Sequence, residues 1–289
     1  VDLVLTAILA NGHVLIEGVP GVAKTLLARL TARLIDADFS RVQFTPDLMP
    51  SDVLGTTVFN MKTNGFDFHQ GPIFADIVLV DEINRAPAKT QAALFEVMEE
   101  RQISIDGTTH RMGDLYTILA TQNPVEQEGT YKLPEAQLDR FLMKITMDYP
   151  SLEEEVNILE RHHTNAALVK LDDIVPAITK EELLSLRAFM NQVFVDRTLL
   201  QYIALIVQQT RTSKAVYLGA SPRASVAMLQ SSKAYALLQG RDFVTPEDIK
   251  FVAPYVLQHR LILTAEAEME GYSPVKVTQR LIDKVEVPK

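Results

Sequence analysis

The chain has 289 residues, 47% of them hydrophobic, with a net charge of −9 and no cysteine. That length suits two domains with a large core; the missing cysteines exclude disulfides, thiol catalysis and Cys-ligated metals and fit a reducing cytoplasm, the expected location. The acidic balance argues against non-specific nucleic-acid binding, the six histidines show no metal-ligand spacing, no signal peptide is visible, and no apolar run is long enough to cross a bilayer.

Val1–Leu9 reads as a helix. His13–Glu17 reads as a buried strand, and Leu26–Leu34 carries apolar residues at helical spacing. Between them stands Gly18-Val19-Pro20-Gly21-Val22-Ala23-Lys24-Thr25. A strand, a Gly-containing turn, Lys-Thr and a helix describe a phosphate-binding loop, whose backbone N–H groups and helix dipole face an anion. The nine residues Gly18 to Leu26 are the candidate nucleotide contacts. Lys24 is expected to reach the β- and γ-phosphates, and Thr25 to place its hydroxyl on Mg²⁺. Ala23 departs from the pattern, which expects a second Gly there.

Arg41–Phe44 is the next candidate strand, followed by a long insertion, Thr45–Phe74, with Pro, Gly and Asp throughout. Ile77-Val78-Leu79-Val80 then runs into Asp81-Glu82. A continuous apolar run suits a central parallel strand covered on both faces, and its C-terminal end is where open α/β sheets bind ligands. Asp81 is expected to hold Mg²⁺, and Glu82 to polarise the attacking water. Alone, such a pair reads as a solvated loop; downstream of Gly18–Thr25 it does not.

Asn84-Arg85 follows, and Arg85 is placed to face a subunit interface by position only. The helix Pro87–Glu100 has Pro87 at its first position and Ala92, Leu94, Phe95 and Met98 as its apolar face. Ile103–Arg111 alternates around Asp106-Gly107, a hairpin signal. Strand Thr117–Thr121 leads into Gln122-Asn123-Pro124, where Asn123 either meets a γ-phosphate or forms a turn. Glu135–Phe141 reads as a short helix leaving Arg140 exposed, either as a finger for a neighbouring subunit or in a salt bridge with Asp139 or Glu135. Leu142–Met147 is the fifth strand.

The pattern changes after Pro150. Ser151-Leu152-Glu153-Glu154 and Thr179-Lys180-Glu181-Glu182 are capping boxes. Ser221-Pro222-Arg223 and Thr245-Pro246 each give an N-cap followed by Pro at the first helical position, and Gly240 fits a helix end. No convincing strand is visible. Arg223 is expected in the first turn of its helix, buried and opposed by the dipole unless a phosphate offsets it. The expected division is therefore residues 1–150, an α/β nucleotide-binding core, and 151–289, a smaller all-helical domain.

In this order the motifs resemble those of the AAA+ ATPases, and more narrowly the MoxR family. The match rests on Gly18–Thr25, Asp81–Pro87, Ala120–Pro124, Leu133–Phe141 and Gly219–Arg223, and covers residues 18 to 223. Ala23 is common in that family. The resemblance implies a P-loop core with a parallel five-stranded sheet in the order 5-1-4-3-2, helices on both faces and an all-α lid. It implies Asn123 as first sensor, Arg140 as arginine finger and Arg223 as second sensor. Thr45–Phe74 resembles the family's helix-two insert, and Ile103–Arg111 its pre-sensor hairpin. The family's adenine-gripping segment, ahead of the first core helix, is not in this sequence.

The expected function is a ring-forming ATPase, hexameric by family expectation, that uses ATP and Mg²⁺ to remodel or mature a protein client. A von Willebrand factor A-domain partner is implied, with metal insertion into the client as one variant of the task. Two alternatives are a nucleic-acid motor and a nucleotide-gated scaffold with little turnover. The first is disfavoured because the insert and hairpin set Lys62, His110 and Arg111 against Asp47, Asp52, Asp67 and Asp106. The second is disfavoured because every catalytic residue type is present.

Overall fold

The computed structural model describes residues 1–123, 130–163 and 171–288. Pro124, from the Asn123 motif, lies outside the described residues. In chain order the elements are α1 (Asp2–Leu9), β1 (Val14–Gly18), α2 (Lys24–Leu34), β2 (Phe39–Gln43), α3 (Pro50–Leu54), β3 (Gly55–Asn60) and β4 (Gly65–Gln70). Then come β5 (Ile77–Asp81), α4 (Ala88–Glu100), β6 (Gln102–Ile105), β7 (Thr108–Arg111), β8 (Thr117–Gln122), α5 (Glu135–Leu138) and β9 (Met143–Met147). The remainder is α6 (Leu152–His163), α7 (Lys180–Phe189), α8 (Arg197–Thr212), β10 (Val216–Leu218), α9 (Pro222–Leu238), α10 (Pro246–Leu257), β11 (Ile262–Leu263), α11 (Ala265–Met269) and α12 (Pro274–Asp283).

Five strands form one parallel sheet in the order β2-β5-β8-β1-β9. Counted among themselves they run 2-3-4-1-5, the order the resemblance implied. Every residue of β5 is buried, and Ile77, Val78, Leu79 and Val80 are fully so, as a central strand requires. Register pairs Val80 with Ala120 on β8 and Asp81 with Gln43 on β2.

The chain divides into two compact units. One comprises Leu15–Lys132 with Thr146–Leu183, the other Val1–Val14 and Leu133–Ile145 with Leu184–Lys289. In the first, α4 buries Leu94, Phe95 and Met98 as expected; Gln91 rather than Ala92 completes the face, its amide donating to the Ile83 carbonyl at 3.1 Å. Pro87 is the N-cap of α4 rather than its first helical residue. The insertion is not an open loop. It folds as α3 and the antiparallel hairpin β3–β4, whose turn reaches Asn64-Gly65 with Asn64 at φ +51°. The hairpin predicted around Asp106-Gly107 is present as β6–β7. Thr57 joins the two hairpins by donating its hydroxyl to Asp106 at 2.6 Å.

In the second unit, helices begin where the caps predict. Pro222 and Pro246 open α9 and α10, and Gly240, at φ +72°, follows the end of α9. The two predicted capping boxes, which lie in the first unit, also form: Ser151 with Glu154 and Thr179 with Glu182 bond reciprocally. Beside the helices, β10 and β11 pair as a small antiparallel ribbon. Segments of three and two residues give no period-2 signal to read, which is why none was visible in the sequence.

Candidate nucleotide site

The loop after β1 has the backbone that an anion cradle needs. Gly21 lies at φ +87°, and a Cβ placed on it would meet nothing within 4 Å. Gly18 is required for a different reason: a Cβ there would lie 2.7 Å from the Met147 carbonyl oxygen. Ala23, the N-cap of α2, sits in the left-handed region at φ 58°, ψ 28°. The expectation of Gly at this position therefore has a conformational basis, and Ala carries strain of about 1–2 kcal/mol. Lys24 begins α2 and folds back over the loop, its Nζ donating to the Gly18 carbonyl at 2.6 Å.

The C-terminal ends of β1, β8 and β5 lie side by side, so the loop, Asn123 and Asp81-Glu82 share one edge of the sheet. Asp81 is 6% exposed. Its Oδ1 accepts from the Thr121 hydroxyl at 3.1 Å, and its Oδ2 from Arg41 Nε at 2.6 Å. Glu82 adopts a left-handed backbone, φ 56°, ψ 50°, which turns it off the strand. Its N–H donates to Thr121 Oγ1 at 3.0 Å. Its Oε2 accepts from Gln43 Nε2 at 2.9 Å and Arg85 Nη1 at 2.8 Å. Arg41 Nη2 also donates to Gln43 Oε1 at 3.2 Å. Both carboxylates are thus held by two residues of β2. Asn123 is buried just past β8.

These residues fit Mg²⁺ and a triphosphate. The Thr25 hydroxyl and Asp81 carboxylate are hard oxygen donors, and Mg²⁺ keeps most of its waters and needs few protein ligands. Among the described residues no group of three or more His, Cys, Asp or Glu forms another metal cluster.

The second unit carries the other two predicted residues. Arg140 is half-buried between α5 and β9, not fully exposed. Asp139, one of its candidate salt-bridge partners, pairs with Arg260 at 2.6 Å. Arg223 lies in the first turn of α9 and is exposed, not buried as expected, so water relieves its opposition to the dipole. No local signal marks Arg41, Gln43, Thr121 or Arg260 in the sequence, where polar residues on a strand or in a turn read as solvated surface.

Comparison with known proteins agrees with this geometry. Residues 13–143 match the family model "ATPase family associated with various cellular activities (AAA)", and residues 208–283 match the AAA lid domain. The uncharacterised protein YeaC of Bacillus subtilis is 48% identical over 99% of this chain and 88% of its own length. Chaperone MoxR1 of Mycobacterium tuberculosis is 44% identical over 100% and 78%, and protein MoxR of Methylorubrum extorquens 30% identical over 93% and 84%. The crystal structure of an ATPase candidate from Cytophaga hutchinsonii superposes with a TM-score of 0.90 at 41% identity, covering all of this chain and 89% of that one. With motifs, sheet order and full-length similarity in agreement, the chain belongs to the MoxR family of AAA+ ATPases.

Proposed function

We propose that the chain hydrolyses ATP with Mg²⁺ inside a homo-oligomeric ring, six-membered by family expectation, and uses the cycle to remodel or mature a protein client. The observation that carries this reading is the pair Asp81-Glu82 at the end of a fully buried strand, on the same sheet edge as the Gly18–Thr25 loop. When bound, Mg²⁺ would neutralise charge developing on the phosphate oxygens. The backbone N–H groups of the loop between Gly18 and Leu26, Pro20 having none to give, and the Lys24 ammonium bind the phosphates. The Thr25 hydroxyl and Asp81 carboxylate hold the metal. Glu82 takes the proton of the attacking water, and Asn123 orients that water. Arg140 serves the γ-phosphate of a neighbouring chain, and Arg223 supplies a further cation.

A protein client is favoured over nucleic acid by the β3–β4 hairpin. Phe59, Met61 and Phe66 are 46%, 89% and 74% exposed there, whereas a phosphate track needs cations. A von Willebrand factor A-domain protein as partner, and metal insertion into the client as the task, are the finer parts of this proposal.

Steady-state phosphate release tests it. The parent chain releases phosphate, and Glu82→Gln, which keeps the size of the side chain but not its basicity, is slower by about 10²–10⁴ while still binding ATP. A parent chain that binds ATP without release returns the scaffold alternative.

A further inference from the structure

Arg260 is a charged side chain shut away from solvent, 4% exposed, in the turn after α10. A guanidinium has five N–H donors, and all five are engaged. Nε donates to Asp139 Oδ1 at 2.6 Å. Nη2 donates to the carbonyls of Asp139 at 3.1 Å and Phe141 at 2.7 Å. Nη1 donates to the carbonyl of Leu142 at 3.1 Å and to that of Val256. Four of the five acceptors lie on residues 139–142, the stretch that carries Arg140. His259 Nε2 adds a contact of 3.0 Å to the Phe141 carbonyl.

The other oxygen of Asp139 leads elsewhere. Oδ2 accepts from the Ser221 hydroxyl at 3.3 Å. Ser221 is the N-cap of α9 but makes no side-chain capping bond; its hydroxyl is directed to Asp139 instead. Arg223 follows two residues on, close enough to Arg260 for its charge to oppose the buried guanidinium. All these residues lie within one compact unit. A buried ion pair adds little to stability by itself, and its best-attested use is to fix one geometry among several.

We propose that Asp139 and Arg260 are positioning residues that join the Arg140 segment to the first turn of α9, so that Arg140 and Arg223 move as one body and a phosphate met by one is sensed at the other. The inference rests on the roles proposed above for those two arginines. It extends them by making adjacent sites of a ring communicate through a side-chain clamp inside each chain.

Two variants that leave Arg260 in place test it; Ser221→Ala is the mild one, and Asp139→Asn, which strands the buried guanidinium, is read against its own melting temperature. Ser221→Ala cuts the link to α9 without deleting a cap bond, and Asp139→Asn removes the ion pair at constant size. Each is assayed as the whole assembled chain for melting temperature, ATP affinity and turnover. Ser221→Ala should melt with the parent and bind ATP within about twofold. Its turnover should fall about tenfold or more, because small displacements of catalytic groups are costly, and Asp139→Asn should fall further. The turnover losses of Arg140→Lys and Arg223→Lys should be non-additive in the parent and additive in Ser221→Ala. Arg140→Ala runs in parallel. If it turns over like the parent, the finger reading fails. If it is slow while Ser221→Ala and Asp139→Asn match the parent, the clamp is overturned. A loss of turnover matched by equal losses of ATP affinity and melting temperature also overturns it, as it marks a purely structural role.

Discussion

Arg41 on β2 donates from Nε to the Asp81 carboxylate at 2.6 Å, on the buried acid proposed to hold the metal. Gln43, two residues along the strand, reaches Glu82 in the same way at 2.9 Å. The cation and the amide therefore hold the site's two acids, and a metal arriving at Asp81 competes with the Arg41 cation already seated on Oδ2. The side chain of Arg41 is 51% exposed, so the pair is screened by water, and its strength belongs with surface pairs, about 0.2–1 kcal/mol.

Arg41→Gln should accordingly lower the Mg²⁺ concentration for half-maximal turnover by up to about fivefold. A Mg²⁺ titration at saturating ATP measures this. An unchanged or raised Mg²⁺ requirement would mean that Arg41 does not compete with the metal.

Ala23 gives a stability prediction with a sign. In the left-handed region, Ala23→Gly relieves about 1–2 kcal/mol of strain and gives back about 0.4–1 kcal/mol through the more flexible unfolded chain. The variant should melt at or above the parent temperature and keep ATP binding. Ala23→Val, β-branched at the same backbone angles, should melt lower. Thermal unfolding of the three chains in parallel decides it.

His259 makes the fold acid-sensitive. Full burial, aided by the charges of Arg260 and Lys144, holds its pKa well below the ordinary imidazole value. The unfolded chain protonates it near pH 6.5 while the folded chain does not. Below that pH the unfolded state binds the extra proton, so stability is lost as pH falls, by up to about 1.4 kcal/mol per unit for this group. Urea midpoints should drop from pH 7 to pH 5, and by less in His259→Gln. Equal pH slopes in the two chains would remove His259 from the account.

The parts of the molecule that were legible in the sequence are those where one segment carries its own signal. Ile77–Glu82 is an apolar run ending in two acids, Gly18–Thr25 is a turn between two periodic segments, and the Ser151 and Thr179 boxes close on themselves. The β3–β4 hairpin is hard to read from Asn64-Gly65 alone, because the flanking strands leave Val58, Phe59 and Phe66 exposed and so lack a buried face to set the pattern. The partners of the site were illegible for a different reason. Arg41 to Asp81 and Arg260 to Asp139 span 40 and 121 residues, and no local pattern marks a pairing made only by the fold. Likewise Thr121 reads as the end of a strand until β8 lies beside β5, where its hydroxyl bridges Asp81 and the Glu82 backbone.

The central claim is a site completed by a second chain. Arg140→Ala alone should be slower by about 10³–10⁵, and Lys24→Ala should fail to bind ATP productively. Co-assembling these two inactive chains is the most direct measurement. A ring with a shared site places the intact Arg140 of the Lys24→Ala chain beside the intact loop of the Arg140→Ala chain, and phosphate release should reappear and peak near equal mixing. A mixture as inactive as either chain alone, in rings shown to contain both, would contradict it.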